Sequence, residues 1–467
     1  MALDPDRLFP IEPAPRQFAR DLYDTVSHLP IISPHGHTDP RWFAENGHFV
    51  DPAQLFVTPD HYVFRMLLSQ GIPLESLGVP GVDGGEVETD GRKIWHLFAK
   101  NYYLFRATPS KIWIDHSFEH VFGLQEPFSL ETADTFYDHI SDCLCQDAFR
   151  PRSLFDKFGI EVLSTTESAT DPLKWHKAIQ SSEWDGRVIT AYRPDTVIDP
   201  EFEGFTGNVA VLGEITGENT DTWDGYLAAH RTRRAFFKLH GATSSDHGHP
   251  SARTENLSQV DAAELFSKAL SGGCTPEEAD AFRGHMLTEM ARMSIDDGLV
   301  MQIHPGSFRN HSSSILSRFG RDKGLDIPTR TDYVRALRPL LDAFGTDPRL
   351  SVIVFTLDET TLSRELAPLA GVYPVLKLGP PWWFFDSPEG MMRFRELTTE
   401  TAGFYNTVGF NDDTRALCSI PSRHDMARRI DCAYLAKLVC TGRLSELEAL
   451  DLAHDLSYGL AKRAYRL

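Results

Sequence analysis

Short apolar, β-branched-rich runs recur along this chain, and their number and spacing constrain its fold more than any other feature. They are Leu29–Ser33, Ile160–Thr165, Arg187–Tyr192, Ala235–His240, Leu299–His304, Leu350–Leu357, Tyr373–Leu378 and Phe404–Phe410, eight in all. Nearly continuous apolar runs suit parallel strands buried on both faces. Eight such units closing on themselves form a (β/α)8 barrel, whose chemistry lies at the C-terminal strand ends. The repeat is interrupted once. Between about 40 and 155 no strand pattern is found, and aromatic-rich helical stretches replace it: His61–Gln70, Ile94–Phe105 and Ala133–Cys145. The expectation is an α/β fold, a distorted (β/α)8 TIM-like barrel with an inserted helical region after strand 1. Residues 1–40 then hold an N-terminal helix and the first strand, 41–155 the insertion, and 156–467 the rest of the barrel and the C-terminal helices.

Each run gives way to polar residues at its C-terminal end. The first leads into Pro34-His35-Gly36-His37-Thr38-Asp39-Pro40. Residues two apart on an extended chain point to one side. His35 and His37 can therefore offer both imidazoles to one point, as a divalent metal requires. The other runs lead to Thr165-Thr166-Glu167, Arg193 with Asp195, His240 with Ser245, Asp246, His247 and His249, then His304 with Arg309, Asp358-Glu359, Trp382-Trp383, and Asn411-Asp412-Asp413 with Arg415. Each has a plainer reading. His61 can be a neighbour of a helix cap, Tyr62 and the tryptophans core, and His304 a satisfied core histidine. His247 and His249 read as surface residues or as a support behind the site, and Asp358-Glu359 as a helix cap.

Composition narrows the function classes. The chain has 467 residues, 66 acidic against 46 basic, for a formal net charge of −20. That balance argues against a general nucleic-acid or anionic-membrane binder. No apolar run approaches membrane-spanning length. Cys143, Cys145, Cys274, Cys418, Cys432 and Cys440 form no C-x-x-C pair and are too few for a disulfide framework. With no apolar leader after Met1, a cytoplasmic location is expected.

An ordered set of motifs carries a resemblance. They are Pro59-Asp-His-Tyr62 with Arg65; Tyr192-Arg-Pro-Asp195; Ser245-Asp-His-Gly248; Met301-Gln-Ile-His-Pro-Gly306 with Arg309-Asn310; Leu378-Gly-Pro-Pro-Trp-Trp-Phe384; and Asp413-Thr-Arg415 with Ser422-Arg-His424. Together, from about 20 to 465, the chain resembles the uronate (glucuronate) isomerase family of the amidohydrolase superfamily. The resemblance implies aldose–ketose isomerisation of D-glucuronate to D-fructuronate and of D-galacturonate to D-tagaturonate through a cis-enediol. It implies His35, His37 and Asp413 as ligands of one divalent metal, zinc by expectation, whose need in turnover the sequence does not state. It implies His61, Tyr62, Asp413 and Arg415 as catalytic residues. Arg193, Asp246, His304, Arg309, Trp382, Trp383 and Arg423 are the expected substrate contacts, with Arg193, Arg309 and Arg423 open as holders of the distal carboxylate. Asp412 competes with Asp413, and the spacing to Arg415 favours Asp413. Gly36 and Thr38 depart from the bulkier residue and the leucine common in the family. The alternative is a metal-dependent amidohydrolase acting on an acidic amide or lactone. Its usual lysine ligand finds only Lys238, read here inside the fourth strand. The expected partner is a small hexuronate, with no nucleic acid or membrane, and a homo-oligomer is compatible with the chain.

Overall fold

A computed structural model describes residues 3–467. Its strands are β1 Ile31–Ser33, β2 Ile160–Ser168, β3 Val188–Arg193, β4 Ser244–His247, β5 Val300–Ile303, β6 Ser307–Phe308, β7 Ile327–Pro328, β8 Val352–Val354 and β9 Leu376–Leu378. Seven of them run parallel and curl into one sheet in the order β1-β2-β3-β4-β5-β8-β9. The short β6 and β7, between β5 and β8 in the chain, pair antiparallel. Val162, Ile189, Val300, Ile303, Val352 and Ile353 are all buried, as strands covered on both faces require.

Two expected strands are corrected. Ala235–His240 is not a strand: it ends the helix Trp223–Leu239, with His240 as its C-cap. Its apolar run exists because Phe237 faces the core while Phe236 packs beneath Arg233. Strand four is Ser244–His247, a polar run that apolar patterning cannot find. Its serines are nonetheless satisfied, Ser244 Oγ accepting from Gln302 Nε2 at 3.1 Å. Phe404–Phe410 forms no ladder and makes a single parallel bridge, Leu378 to Thr407. That segment still fills the eighth position. Val408 N–H donates to Leu378 O at 3.1 Å on one side, and His37 N–H donates to Thr414 O at 3.0 Å on the other. The architecture is a distorted TIM-like barrel whose eighth stave is irregular.

Residues 40–157 lie between β1 and β2 and contain only helices and loops. Phe56, Trp95, Phe98, Phe118, Phe128 and Phe136 pack there as a cluster of tilted and edge-on rings. Within it the helix His61–Leu68 starts at Asp60, whose carboxylate accepts from Tyr62 N–H at 2.8 Å. Such a cap contributes about 1 kcal/mol. Val63, Phe64 and Leu67 bury one face of this helix, leaving His61, Tyr62 and Arg65 on the other. No helix among the described residues is long and apolar enough to cross a membrane.

The helix Ile420–Cys440, which follows the eighth stave, is pinned to helix Pro388–Ala402 by an ion pair. Arg395 Nε meets Asp431 Oδ1 at 2.6 Å, both side chains buried. Arg395→Leu strands that carboxylate without a partner. The expected loss is about 3 kcal/mol or more, read as a lower denaturant midpoint with unchanged slope.

Candidate active site

The C-terminal strand ends open into a cleft of about 590 Å³. At its floor the irregular eighth stave meets the end of β1. Asp413 Oδ1 lies 3.4 Å from His35 Nε2 and 3.3 Å from His37 Nε2. The oxygen is buried and makes no aligned hydrogen bond, so three lone pairs converge on one point. Separations of that size are the edge of a tetrahedron with bonds of about 2.0–2.2 Å, the range of zinc–nitrogen and zinc–carboxylate bonds. The donor set therefore fits one divalent cation with positions open to solvent or substrate. Asp412, the competing carboxylate, faces away and accepts from His424 Nε2 at 3.0 Å.

On the far side of His35 stands a second acid. Asp246 Oδ1 lies 2.6 Å from His304 Nδ1, and Asp246 Oδ2 lies 3.1 Å from Arg193 Nη1. Burial opposes its ionisation, but Arg193 and His304 outweigh that and hold Asp246 well below the usual carboxylate range. A carboxylate only accepts, so His304 donates through Nδ1–H and keeps its Nε2 lone pair free. That nitrogen is buried without a partner, and the His304 ring stacks on His35 with centroids 4.7 Å apart. Trp382 closes edge-on over His304 at 4.9 Å and anchors its indole N–H to Thr356 O.

The inserted helix supplies the opposite wall. His61 and Tyr62 stack at 4.6 Å. Burial and then Arg415 lower His61 to about 3, so its imidazole is neutral near pH 7. The Tyr62 hydroxyl is shielded from solvent and unpartnered. Burial, more than any neighbouring charge, raises its pKa, so the phenol stays protonated and acts as a donor. Arg415 sits exposed at the mouth, two residues beyond Asp413. Trp383 carries Arg309 over its face at 5.2 Å, while Arg309 Nη1 donates to Asp326 Oδ2 at 3.1 Å.

Arg423 is the expected contact that does not reach the cleft. It is 1 % exposed, pairs with Asp386, donates to Asp412 O at 3.2 Å and stacks 3.5 Å from the Trp113 ring. It supports the floor from behind. His247 and His249 are buried, not surface residues, and lie behind Asp195. Lys238 is on a helix and donates to Asp297 O, so no lysine stands at the end of β4. Asp358 ties down its own turn, accepting from Thr360 N–H at 3.1 Å. Asp326, Asp386 and Trp113 escaped sequence reasoning because they lie outside every motif, in loops or in the inserted helices.

Fold and site together define a barrel enzyme: a His-His-Asp centre at the strand ends, under a cleft lined by arginines, acids and indoles. A glucuronate isomerase family model matches residues 13–465. The chain belongs to that family. It is 65% identical to a uronate isomerase of Mesorhizobium japonicum, over 99% of both chains. It also superposes on the crystal structure of glucuronate isomerase from Caulobacter crescentus with a TM-score of 0.98, at 59% identity, over 100% of this chain and 97% of that one. For uronate isomerase from Thermotoga maritima the TM-score is 0.92 at 28% identity, over the full length of both.

Two glycines divide on geometry. A Cβ on Gly36 would meet Ser164 O and Thr414 O at 3.5 Å, an ordinary contact. A Cβ on Gly248 would lie 2.1 Å from Arg193 Nη2, and Arg193 is pinned by Asp195 and Asp246. Gly36→Ala should keep kcat/KM near wild type. Gly248→Ala should lower it by about 10²-fold through the displaced arginine, the scale of a 1 Å misplacement, with the circular dichroism spectrum unchanged.

Proposed function

We infer that this chain is an aldose–ketose isomerase of hexuronates, converting D-glucuronate to D-fructuronate and D-galacturonate to D-tagaturonate. The observation that carries the reading is the full-length family match with the motif residues gathered around one cleft. Absence of a lysine at the end of β4 further favours an isomerase over a metal-dependent hydrolase.

The reaction moves hydrogen from C2 to C1. It needs a base beside C2, donors for the oxygen that becomes anionic, and a fixed sugar chain. In this reading the open-chain aldehyde lies between the His35–Asp413 floor and the Tyr62 wall. Asp413 takes the C2 proton. The electron pair left behind forms the C1–C2 double bond and moves charge onto O1. Tyr62 O–H and the Arg415 guanidinium stabilise that oxygen, the first as a donor, the second as a charge. Asp413 then returns its proton to C1 while the O2 proton passes to O1 and the C2–O2 double bond forms, which gives the ketose. Neutral His61 and the free Nε2 of His304 are suited to bind sugar hydroxyls. His35, His37 and Asp413 would hold a divalent cation, zinc in our proposal, which would supply Lewis acidity to the site. The six cysteines are free thiols, in keeping with a cytoplasmic enzyme.

Incubation with D-glucuronate or D-galacturonate, coupled to reduction of the ketouronate product, tests the activity directly. No product from either sinks the reading. Tyr62→Phe deletes one oxygen and keeps the ring. It should lower kcat by about 10²-fold, the scale of general acid–base catalysis, and slow exchange of the C2 hydrogen with solvent. Unchanged kcat in the folded variant would remove Tyr62 from the chemistry.

A separate test concerns the metal. Replacing both His35 and His37 by Ala should abolish zinc content in elemental analysis and leave the thermal unfolding transition cooperative. Full retention of zinc would place the ion elsewhere.

A further inference from the structure

The tripeptide His-Gly-His occurs twice in the chain, at 35–37 and at 247–249. The first copy follows β1, and the second begins on the last residue of β4. Each has an aspartate from the neighbouring stave. Asp413 comes from the eighth stave, which closes against β1, and Asp195 lies two residues past β3, which pairs with β4. The ring geometry also repeats. His35 and His37 have centroids 5.4 Å apart at an interplanar angle of 83°, and His247 and His249 are 5.9 Å apart at 84°. In the second cluster Asp195, His247 and His249 each offer one donor atom, and the three atoms lie within 4.8 Å of one another. Asp195 lines the cleft, whereas the two imidazoles do not.

The surrounding protein leaves these imidazoles unused. His247 is fully buried and His249 is 4 % exposed. Neither ring nitrogen of His249, nor Nδ1 of His247, has a hydrogen-bond partner among the described residues. A buried polar nitrogen without a partner costs free energy, and a metal ion is a partner for an imidazole lone pair. With Nε2–H of His247 donating to Ser245 Oγ, 3.2 Å away, its Nδ1 lone pair is free. That is the arrangement of a ligating histidine whose other nitrogen is held from behind. Asp195 Oδ2 accepts from Arg193 Nε at 2.8 Å, and Gly248 N–H is shared between its two oxygens at 3.1 and 3.2 Å. Asp195 Oδ1, 3.9 Å from His249 Nε2, therefore has accepting capacity left. The local charge admits a cation. Arg193 is one guanidinium between two carboxylates, Asp195 and Asp246. Arg283, the other arginine acting on His249, is already met by Asp199 at 2.6 Å and Glu201 at 2.7 Å.

We propose that Asp195, His247 and His249 form a second divalent-metal site, separate from the His35–His37–Asp413 centre, with zinc as the ion its donors suit. Two imidazoles and one carboxylate favour such an ion over magnesium, which prefers oxygen ligands. The 3.9 Å separation exceeds the 3.4 and 3.3 Å found at the floor. The unbonded His249 ring must move inward by about 0.5 Å to reach zinc-bond lengths, which makes this the weaker site. It fills when zinc is supplied and is not counted in the zinc that the isolated protein retains. The bound ion ties the end of β3 to the end of β4 and braces Asp195, which holds Arg193 in place.

The experiment is equilibrium dialysis of the whole chain against zinc chloride, with zinc per chain read by elemental analysis. Wild type should hold two ions, the His35→Ala plus His37→Ala chain one, and His249→Gln one. His249→Gln added to the double variant should leave none, and His247→Gln should repeat the loss seen in His249→Gln. In the His35→Ala plus His37→Ala chain, supplied zinc should also raise Tm by mass action on the folded state, and magnesium should not. One ion in wild type, none in the double variant, or an undiminished count in both glutamine variants overturns the proposal. The counts for wild type and the double variant need no substitution in the second site, so they decide the matter even where a glutamine variant fails to fold.

Discussion

The end of β1 meets the eighth stave through the His35–Asp413–His37 contact, and that contact both helps close the barrel and lines the floor of its cleft. A regular eighth strand would close the sheet with a ladder of backbone hydrogen bonds. Here the ladder is reduced to one bridge at Thr407, and closure toward β1 falls to His37 N–H donating to Thr414 O. Backbone donors and acceptors spared from pairing leave the stave free to bend. Asp413 faces inward and Asp412 outward, so adjacent acids serve opposite sides. One meets two imidazoles, and the other meets His424.

Beside and behind this floor the charges form closed pairs. Asp246 ties Arg193 to His304, and Asp386 ties Arg423 beneath Trp113. A buried pair contributes little net stability against an apolar equivalent, yet breaking it is costly. Such pairs resist rotation, which is what a positioning scaffold requires. The same logic separates the arginines by role. Those with a protein carboxylate hold the shape of the cleft.

Much of this was legible in the chain itself. The apolar runs marked six strands correctly because those strands are buried on both faces and must be apolar. They failed at β4, where Ser244 to His247 is polar and stabilised by side-chain hydrogen bonds that hydropathy does not register. They failed again at Phe404–Phe410, where apolar residues pack the core without pairing. The motifs found the residues at strand ends, and could not separate an arginine in the cleft from one beneath it. Arg193 and Arg423 read alike in sequence. Only the fold shows that Trp113, from the inserted helices, covers the second.

The choice between Asp412 and Asp413 shows what local sequence leaves open and what backbone conformation decides. Nine non-glycine residues among those described have positive φ, and four of them, Asn310, Asp322, Trp383 and Asp413, line the cleft. Asparagine and aspartate accept the left-handed region at small cost, whereas tryptophan does not. A tryptophan held there persists only because its surroundings over-determine it. For Trp383 these are the Trp382 and Phe384 rings and the Arg309 guanidinium. At Asp413 the φ of 36° takes the backbone out of the extended region. A two-residue alternation counted along the stave therefore breaks at this residue. Asp412 and Asp413 still divide between His424 on one side and the His35–His37 pair on the other, at the position where the barrel aims a carboxylate at the end of β1.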